Sequence, residues 1–172
     1  MQEYLGMKYV EQYGMDIRIA RPFNGYGPRD KFDSDTSHVI PALIKRTWKA
    51  KDGDSIDAWG DGTATRVFLY VEDFARGLLA VAEKGTIGQA VNVGTEEEIS
   101  IRALTGLVMK LLEKKLNIRW DSTKPVGQQR RSCDTSFAKT TTGFTAVVPI
   151  KEGLRRTIEW FKEKVQSGEL TV

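Results

Sequence analysis

Apolar residues in this chain recur at two periods, and the period changes where the turn residues fall. Val39, Ile40, Leu43, Ile44, Thr47 and Trp48 form one stripe of a helix over 37–49. Pro41 falls in its first turn, where a missing N–H costs little. Ile101, Leu104, Val108, Leu111 and Leu112 repeat that spacing. Ser100 stands before them as an N-cap, and Ile99 and Leu104 occupy the positions of a hydrophobic staple. Leu154, Ile158, Phe161 and Val165 mark a last helix opened by Pro149, and Phe74, Leu78 and Val81 mark one over 73–83. Residues 2–13 read as a helix stopped by Gly14, and 136–141 as a short one. The pattern turns to alternation over 66–71, with Arg66, Phe68 and Tyr70 on one face and Val67, Leu69 and Val71 on the other. Shorter strands are predicted at 16–20, 56–58, 90–93 and 118–120.

Strands and helices alternate, which argues for an α/β fold. Several strands are too short and the turns too dense for a pure doubly wound sheet, so a mixed layer is expected beside it. A length of 172 residues suits one domain over 1–172, with no repeat and no dividing linker.

Composition narrows the function classes. With 26 basic and 23 acidic residues the net charge is +3, too balanced to indicate nucleic acid. The one cysteine, Cys133, forms no disulfide within the chain, which points to a reducing compartment. A single histidine, His38, leaves no metal site built on several His and Cys ligands. No apolar run is long enough to span a membrane, and the first residues lack a signal-peptide pattern. The expectation is a cytoplasmic protein.

The candidate chemistry lies in loops. The run 21–28, Arg-Pro-Phe-Asn-Gly-Tyr-Gly-Pro, opens a long polar loop reaching Thr36, with turn formers set among donors and cations. The Asn24 amide can donate to a phosphate oxygen or tie its own loop. Arg66 follows the turn Gly60-Asp61-Gly62 and can grip a phosphate through two parallel hydrogen bonds, or pair with Asp61 or Glu72. Arg130 and Arg131, adjacent in a strand, point to opposite faces, so at most one enters a shared pocket; Arg130 is favoured. His38 suits a base, a pocket wall or a helix-start contact. Trp59 suits a stacking platform or the core, with the core favoured. Asp73 reads as an N-cap, and Cys133 as an inert strand residue. Tyr4 and Lys8 lie one helical turn apart, so the ammonium can lower the phenol pKa and make it a base.

Taken together, these segments resemble the C-terminal half of an extended short-chain dehydrogenase/reductase, in the subgroup of NAD-dependent nucleotide-sugar epimerases and dehydratases. The matching pieces, in the family's order, are residues 21–28, 37–43, the Trp-Gly-Asp-Gly of 59–62 with 66–73, the Asn-Val-Gly-Thr of 92–95, and 127–131 followed by Asp134-Thr135-Ser136. The resemblance implies an incomplete Rossmann-like fold, its last strands and helices, with a small mixed α/β substrate-binding subdomain. It implies that Asn24 and Arg66 hold the diphosphate of a nucleoside diphosphate sugar, helped by Arg130, with His38 near the nucleotide. It places Pro22 and Phe23 beside the nicotinamide of NAD.

The chain departs from that family in two ways. No glycine-rich turn follows a predicted strand to cradle the NAD pyrophosphate. Tyr4 and Lys8 lie too close to the Arg-Pro loop to be the family's Tyr-x-x-x-Lys pair. The expectation is a nucleotide-sugar-binding half that is inactive alone and does not hold NAD alone. It is expected either to meet a missing N-terminal half or to self-associate as a homo-oligomer. A binding module without catalysis and a structural fragment without a ligand are the other readings.

Overall fold

The strands at Ile19–Pro22 (β1) and Ala90–Val93 (β6) run parallel in strict register, with Ala20 opposite Val91 and Pro22 opposite Val93. They belong to a computed structural model that describes residues 1–32, 37–124 and 126–171. The final part of the polar loop expected to reach Thr36, Asp33–Thr36, lies outside the described residues, as does Pro125. In chain order the elements are α1 (Gln2–Tyr13), β1, β2 (Gly25–Tyr26), α2 (Val39–Lys49), β3 (Ser55–Trp59), β4 (Thr65–Val67) and β5 (Leu69–Tyr70). Then come α3 (Val71–Lys84), β6, β7 (Glu98–Ser100), α4 (Ile101–Leu111), β8 (Asn117–Asp121), β9 (Arg130–Arg131), α5 (Ser136–Thr142) and α6 (Ile150–Gln166). The α/β expectation holds, with six helices and small parallel sheets among the described residues.

The chain divides into two compact units. The first comprises 1–25, 67–97 and 132–148. Helices α3 and α5 pack on its β1–β6 pair. Its core is Leu69, Val81, Val91, Val93, Ala138 and Phe144, with Phe74 and Ala20 packed against it. Helix α1 ends where Gly14 takes the left-handed conformation, as its sequence indicated. None of its residues is buried, and Tyr4, Leu5, Met7, Tyr9 and Tyr13 are exposed.

Asp73 departs from expectation. Tyr70, not Asp73, is the N-cap of α3, so Asp73 sits inside the first turn and is fully buried. Its Oδ2 accepts the amides of Val147 (2.9 Å) and Val148 (2.8 Å), while Oδ1 pairs with Arg76. A buried carboxylate is tolerated because it is paired and hydrogen-bonded. Here it anchors the segment after α5.

The second unit comprises 26–66, 98–131 and 149–172. Its β3 and β8 are parallel, with Ile56 opposite Ile118 and Trp59 opposite Asp121. A further sheet has the order β7-β4-β9. Helix α4 packs on α2 and on α6. The core face expected for α6 is realised by Leu154, Ile158 and Phe161, while Val165 is only half-buried. Phe161 meets Phe32 at 5.0 Å between ring centres and Trp48 edge-on at 5.8 Å. Full burial of such a ring contributes about 1.5–3 kcal/mol, so this aromatic group is a main source of the unit's cohesion. Ser100 caps α4 as predicted, its hydroxyl accepting the amide of Ala103 at 3.1 Å.

The strand expected over 66–71 is broken. Residues 67–70 are all buried, and Val71 already belongs to α3, so strict alternation stops at Val67. Cys133 lies between β9 and α5 rather than in a strand.

Candidate functional site

In the second unit, β3 alternates cleanly. Ile56 and Ala58 point into the core, which turns Ser55, Asp57 and Trp59 outward. Trp59 is therefore 58% exposed, against the core position favoured for it. Its indole borders an open cleft of about 730 Å³, lined also by Arg46, Lys49, Asp57 and Arg119. Arg46 comes from the last turn of α2 and donates Nη1 to the carbonyl of Asp57 at 2.9 Å. Arg119 on β8 makes a two-pronged pair with the Asp57 carboxylate at 2.8 and 3.1 Å. Three cations meet two carboxylates here, Asp54 and Asp57, so the cleft keeps a positive excess beside an exposed ring. An aromatic surface next to cations suits a planar, electron-rich ligand with an anionic tail.

The turn after Trp59 is built for close approach. Gly60 and Gly62 both have positive φ, 77° and 79°. A Cβ on Gly60 would stand 2.2 Å from Val126, and one on Gly62 would stand 2.6 Å from the Trp120 ring. Neither position accepts a side chain without displacing the side chain it faces, Val126 or Trp120. Arg66, half-buried on β4, donates Nη1 to the Thr65 carbonyl (2.7 Å) and Nη2 to the Val126 carbonyl (3.0 Å). Val126 thus touches the Trp59–Gly60 turn on one side and holds Arg66 on the other.

Arg130 lies opposite Thr65 in the β4–β9 register. Its Nε and Nη2 reach the Glu98 carboxylate at 3.0–3.1 Å. Thr65 donates its hydroxyl to the same carboxylate. These hydrogen bonds, Arg130's foremost, hold the Glu98 carboxyl below its ordinary pKa and raise that of Arg130. Arg131 is exposed, as is Arg130. His38 occupies the N-cap position of α2 with its ring exposed, and Nδ1 lies 3.3 Å from Oδ1 of Asp30. The Asp30 carboxylate, eight residues earlier, thus faces the ring.

In the first unit, Asn24 donates Nδ2 to the Val67 carbonyl at 2.9 Å, and its own carbonyl accepts the amide of Leu69. The loop-tying role is thus the one its side-chain amide performs here. Pro22 is exposed and Phe23 half-buried at the carboxyl end of β1, where the Phe23 amide donates to Val93 at 2.9 Å. Cys133 is buried against Gly94, and burial first, then the charges of Asp134 and Glu96, pushes its thiol up to about 11. That keeps it protonated and inert at neutral pH, as expected. Lys8 stands over the ring of Tyr4, 5.7 Å from its centre, and pairs with Glu11.

Among the described residues no group of three His, Cys, Asp or Glu side chains could hold a metal ion, and no helix is long and apolar enough to cross a membrane.

Residues 1–94 match the NAD dependent epimerase/dehydratase family. The chain is 37% identical over 163 residues to a probable GDP-L-fucose synthase of Oryza sativa subsp. japonica, covering 94% of this chain and 49% of that protein. It is 37% identical over 160 residues to a dTDP-4-dehydro-6-deoxy-D-allose reductase of a Streptomyces species, covering 93% and 48%. An epimerase of Methanothermobacter thermautotrophicus superposes with a TM-score of 0.85 at 27% identity over 96% of this chain and 48% of that one. The UDP-glucuronic acid 4-epimerase of Bacillus cereus, solved with UDP-glucuronic acid and NAD, gives 0.81 at 29% identity over 94% and 50%. The chain spans about half the length of the curated relatives it matches.

Proposed function

Because this chain belongs to the NAD dependent epimerase/dehydratase family, we propose that it forms the nucleotide-sugar-binding part of an NAD-dependent epimerase or dehydratase. The observation that carries this reading is the exposed Trp59 indole beside Arg46, followed by a Gly60 turn that lies against Val126, the residue whose carbonyl holds the Arg66 guanidinium. The indole offers a face to a nucleobase, and Arg66 a fork to the pyrophosphate. On β9 it is Arg131, the register partner of Arg66, that shares the face of Arg66, while Arg130 stands on the other face with Thr65 and Glu98; His38 lies at the start of the helix that supplies Arg46. Several solved relatives are complexes with nucleotide sugars, among them UDP-glucuronic acid and UDP-N-acetylmuramic acid.

The test is calorimetry with UDP-, GDP- and dTDP-sugars. Binding of at least one, weakened by Arg66→Ala, supports the assignment. Flat titrations with all three, on a folded sample, contradict it.

For NAD, Pro22 and Phe23 fit a place beside the nicotinamide, since ligands of parallel sheets gather at the carboxyl ends of the strands. Bound there, NAD would accept and return a hydride. We assign binding rather than turnover to these residues, with Lys8 held over the Tyr4 ring and on Glu11. The purified chain is expected to show no NAD-dependent conversion of these sugars, and measurable turnover contradicts that.

The exposed side of α1 supports self-association of two copies of the chain, because it leaves Tyr4, Leu5 and Tyr13 in water. Light scattering is expected to give a dimer or larger species; a monomer contradicts it.

A further inference from the structure

Trp59 shares the outward face of the β3–β8 pair with an ion pair. Asp57 and Trp59 point the same way from β3, and Arg119 on β8 is the register partner of Asp57. Sheet spacings of about 4.8 Å between strands and 3.3 Å per residue put the roots of Trp59 and Arg119 about 8 Å apart on that face. Both side chains border the same open cleft of about 730 Å³. A purine laid on the indole spans much of that interval, so one of its edges comes to the Arg119 guanidinium. Asp57 holds the opposite side of that group: Nε reaches Oδ1 at 2.8 Å and Nη2 reaches Oδ2 at 3.1 Å. The Asp57 carbonyl accepts Nη1 of Arg46 at 2.9 Å, which ties this part of β3 to α2.

We propose that this cleft selects guanine nucleotides, with the base stacked on Trp59 and the outer edge of Arg119 donating to guanine N7 and O6. The inference rests on the nucleobase placement proposed above and adds which base is taken. Arginine carries its N–H donors in a rigid planar fork. With Nε and one side of Nη2 on the carboxylate, the Nη1–Nη2 edge is turned away from Asp57 as a second pair of parallel donors. Among the common bases guanine alone sets two acceptors side by side on one edge, N7 and O6. Adenine has an amino donor in place of O6, and uracil sets O4 beside a C–H. Charge does not make this distinction, because Arg46 and Lys49 attract every nucleoside diphosphate alike. Stacking does not make it either, since every base has a π-face and adenine matches guanine in ring size. The donor pair on Arg119 is what separates guanine from the rest.

The experiment titrates the 172-residue chain with GDP, inosine diphosphate, ADP and UDP. Inosine diphosphate keeps N7 and O6 and lacks the 2-amino group of guanine. GDP and inosine diphosphate are expected to bind alike, each about tenfold tighter than ADP or UDP. ADP binding as tightly as GDP would make stacking the source of selectivity and overturns the proposal. Inosine diphosphate falling to the level of ADP would place recognition on the opposite edge of the base, and that overturns it too.

Arg119→Lys keeps the charge and removes the fork. It is expected to cut the affinity for GDP and inosine diphosphate about tenfold and to leave ADP and UDP unchanged, which a merely structural role would not do. An equal loss for all four overturns the proposal. Flat titrations of the wild type with all four overturn the nucleotide-sugar reading and this inference with it. Binding of all four at one affinity overturns this inference alone and leaves that reading standing.

Discussion

Arg66 donates Nη2 to the carbonyl of Val126 at 3.0 Å, so the loop between β8 and β9 is tied to the strand that follows the Trp59 turn. This contact makes the second unit more than a set of separate charged groups. The Arg66 guanidinium and the backbone of Gly60, next to Trp59, both lie against Val126. Arg66→Ala is therefore expected to weaken nucleoside diphosphates at least tenfold. Arg66→Lys should restore little of it, since an ammonium cannot donate to two carbonyls and a phosphate in one plane. Calorimetry on both variants checks this.

Trp59 gives a second prediction. Base stacking on an aromatic contributes about 1–3 kcal/mol, so Trp59→Ala is expected to lower nucleotide-sugar affinity by that amount and Trp59→Phe by less. Because the indole is exposed, stability in urea should be nearly unchanged in both variants. A large loss of stability would instead indicate a packing role.

Asp73 predicts the opposite pattern. Its carboxylate is fully buried and satisfies two amides and Arg76. Asp73→Ala leaves those partners unpaired and is expected to cost about 3–5 kcal/mol in urea unfolding. Asp73→Asn keeps an acceptor oxygen for the amides and should cost less. Nucleotide affinity of the folded fraction should not change.

The helix α6 carries a pH signature. Hydrogen bonds from Arg155 and then Arg156 lower the Glu152 carboxyl from 4.5 to about 2. A group whose folded pKa is depressed adds stability above its unfolded value, and that contribution is lost as pH falls through the folded one. The difference in thermal midpoint between wild type and Glu152→Gln should therefore be largest above pH 4.5 and close towards pH 2. A constant difference across that range contradicts the pairing.

The helices were legible because their stripes bury one face each: Leu154, Ile158 and Phe161 are inside as the spacing required. The Ser100 cap and the Gly14 stop were equally plain, since both are local. Tertiary events were not legible. Asp73 looked like an N-cap by position. Only the return of Val147 and Val148 to the same place, far along the chain, buries it. The break after Val67 arises because residues 67–70 are buried on both sides, which removes the alternation on which a longer strand was predicted. Arg46, Asp57 and Arg119 carry no motif in the sequence, because they come from the separate elements α2, β3 and β8. A signal for the cleft was present, though. With Ile56 and Ala58 inward, period two alone places Trp59 outward beside Asp57. The tie between Arg66 and Val126 left no such trace, because a backbone carbonyl accepts regardless of residue type.

The most direct test is a crystal structure of the chain soaked with GDP or UDP. The expected result is a nucleobase against the Trp59 indole and a pyrophosphate within hydrogen-bond distance of the Arg66 guanidinium. A nucleotide bound elsewhere on the molecule, with the indole and that guanidinium both untouched, would contradict the assignment.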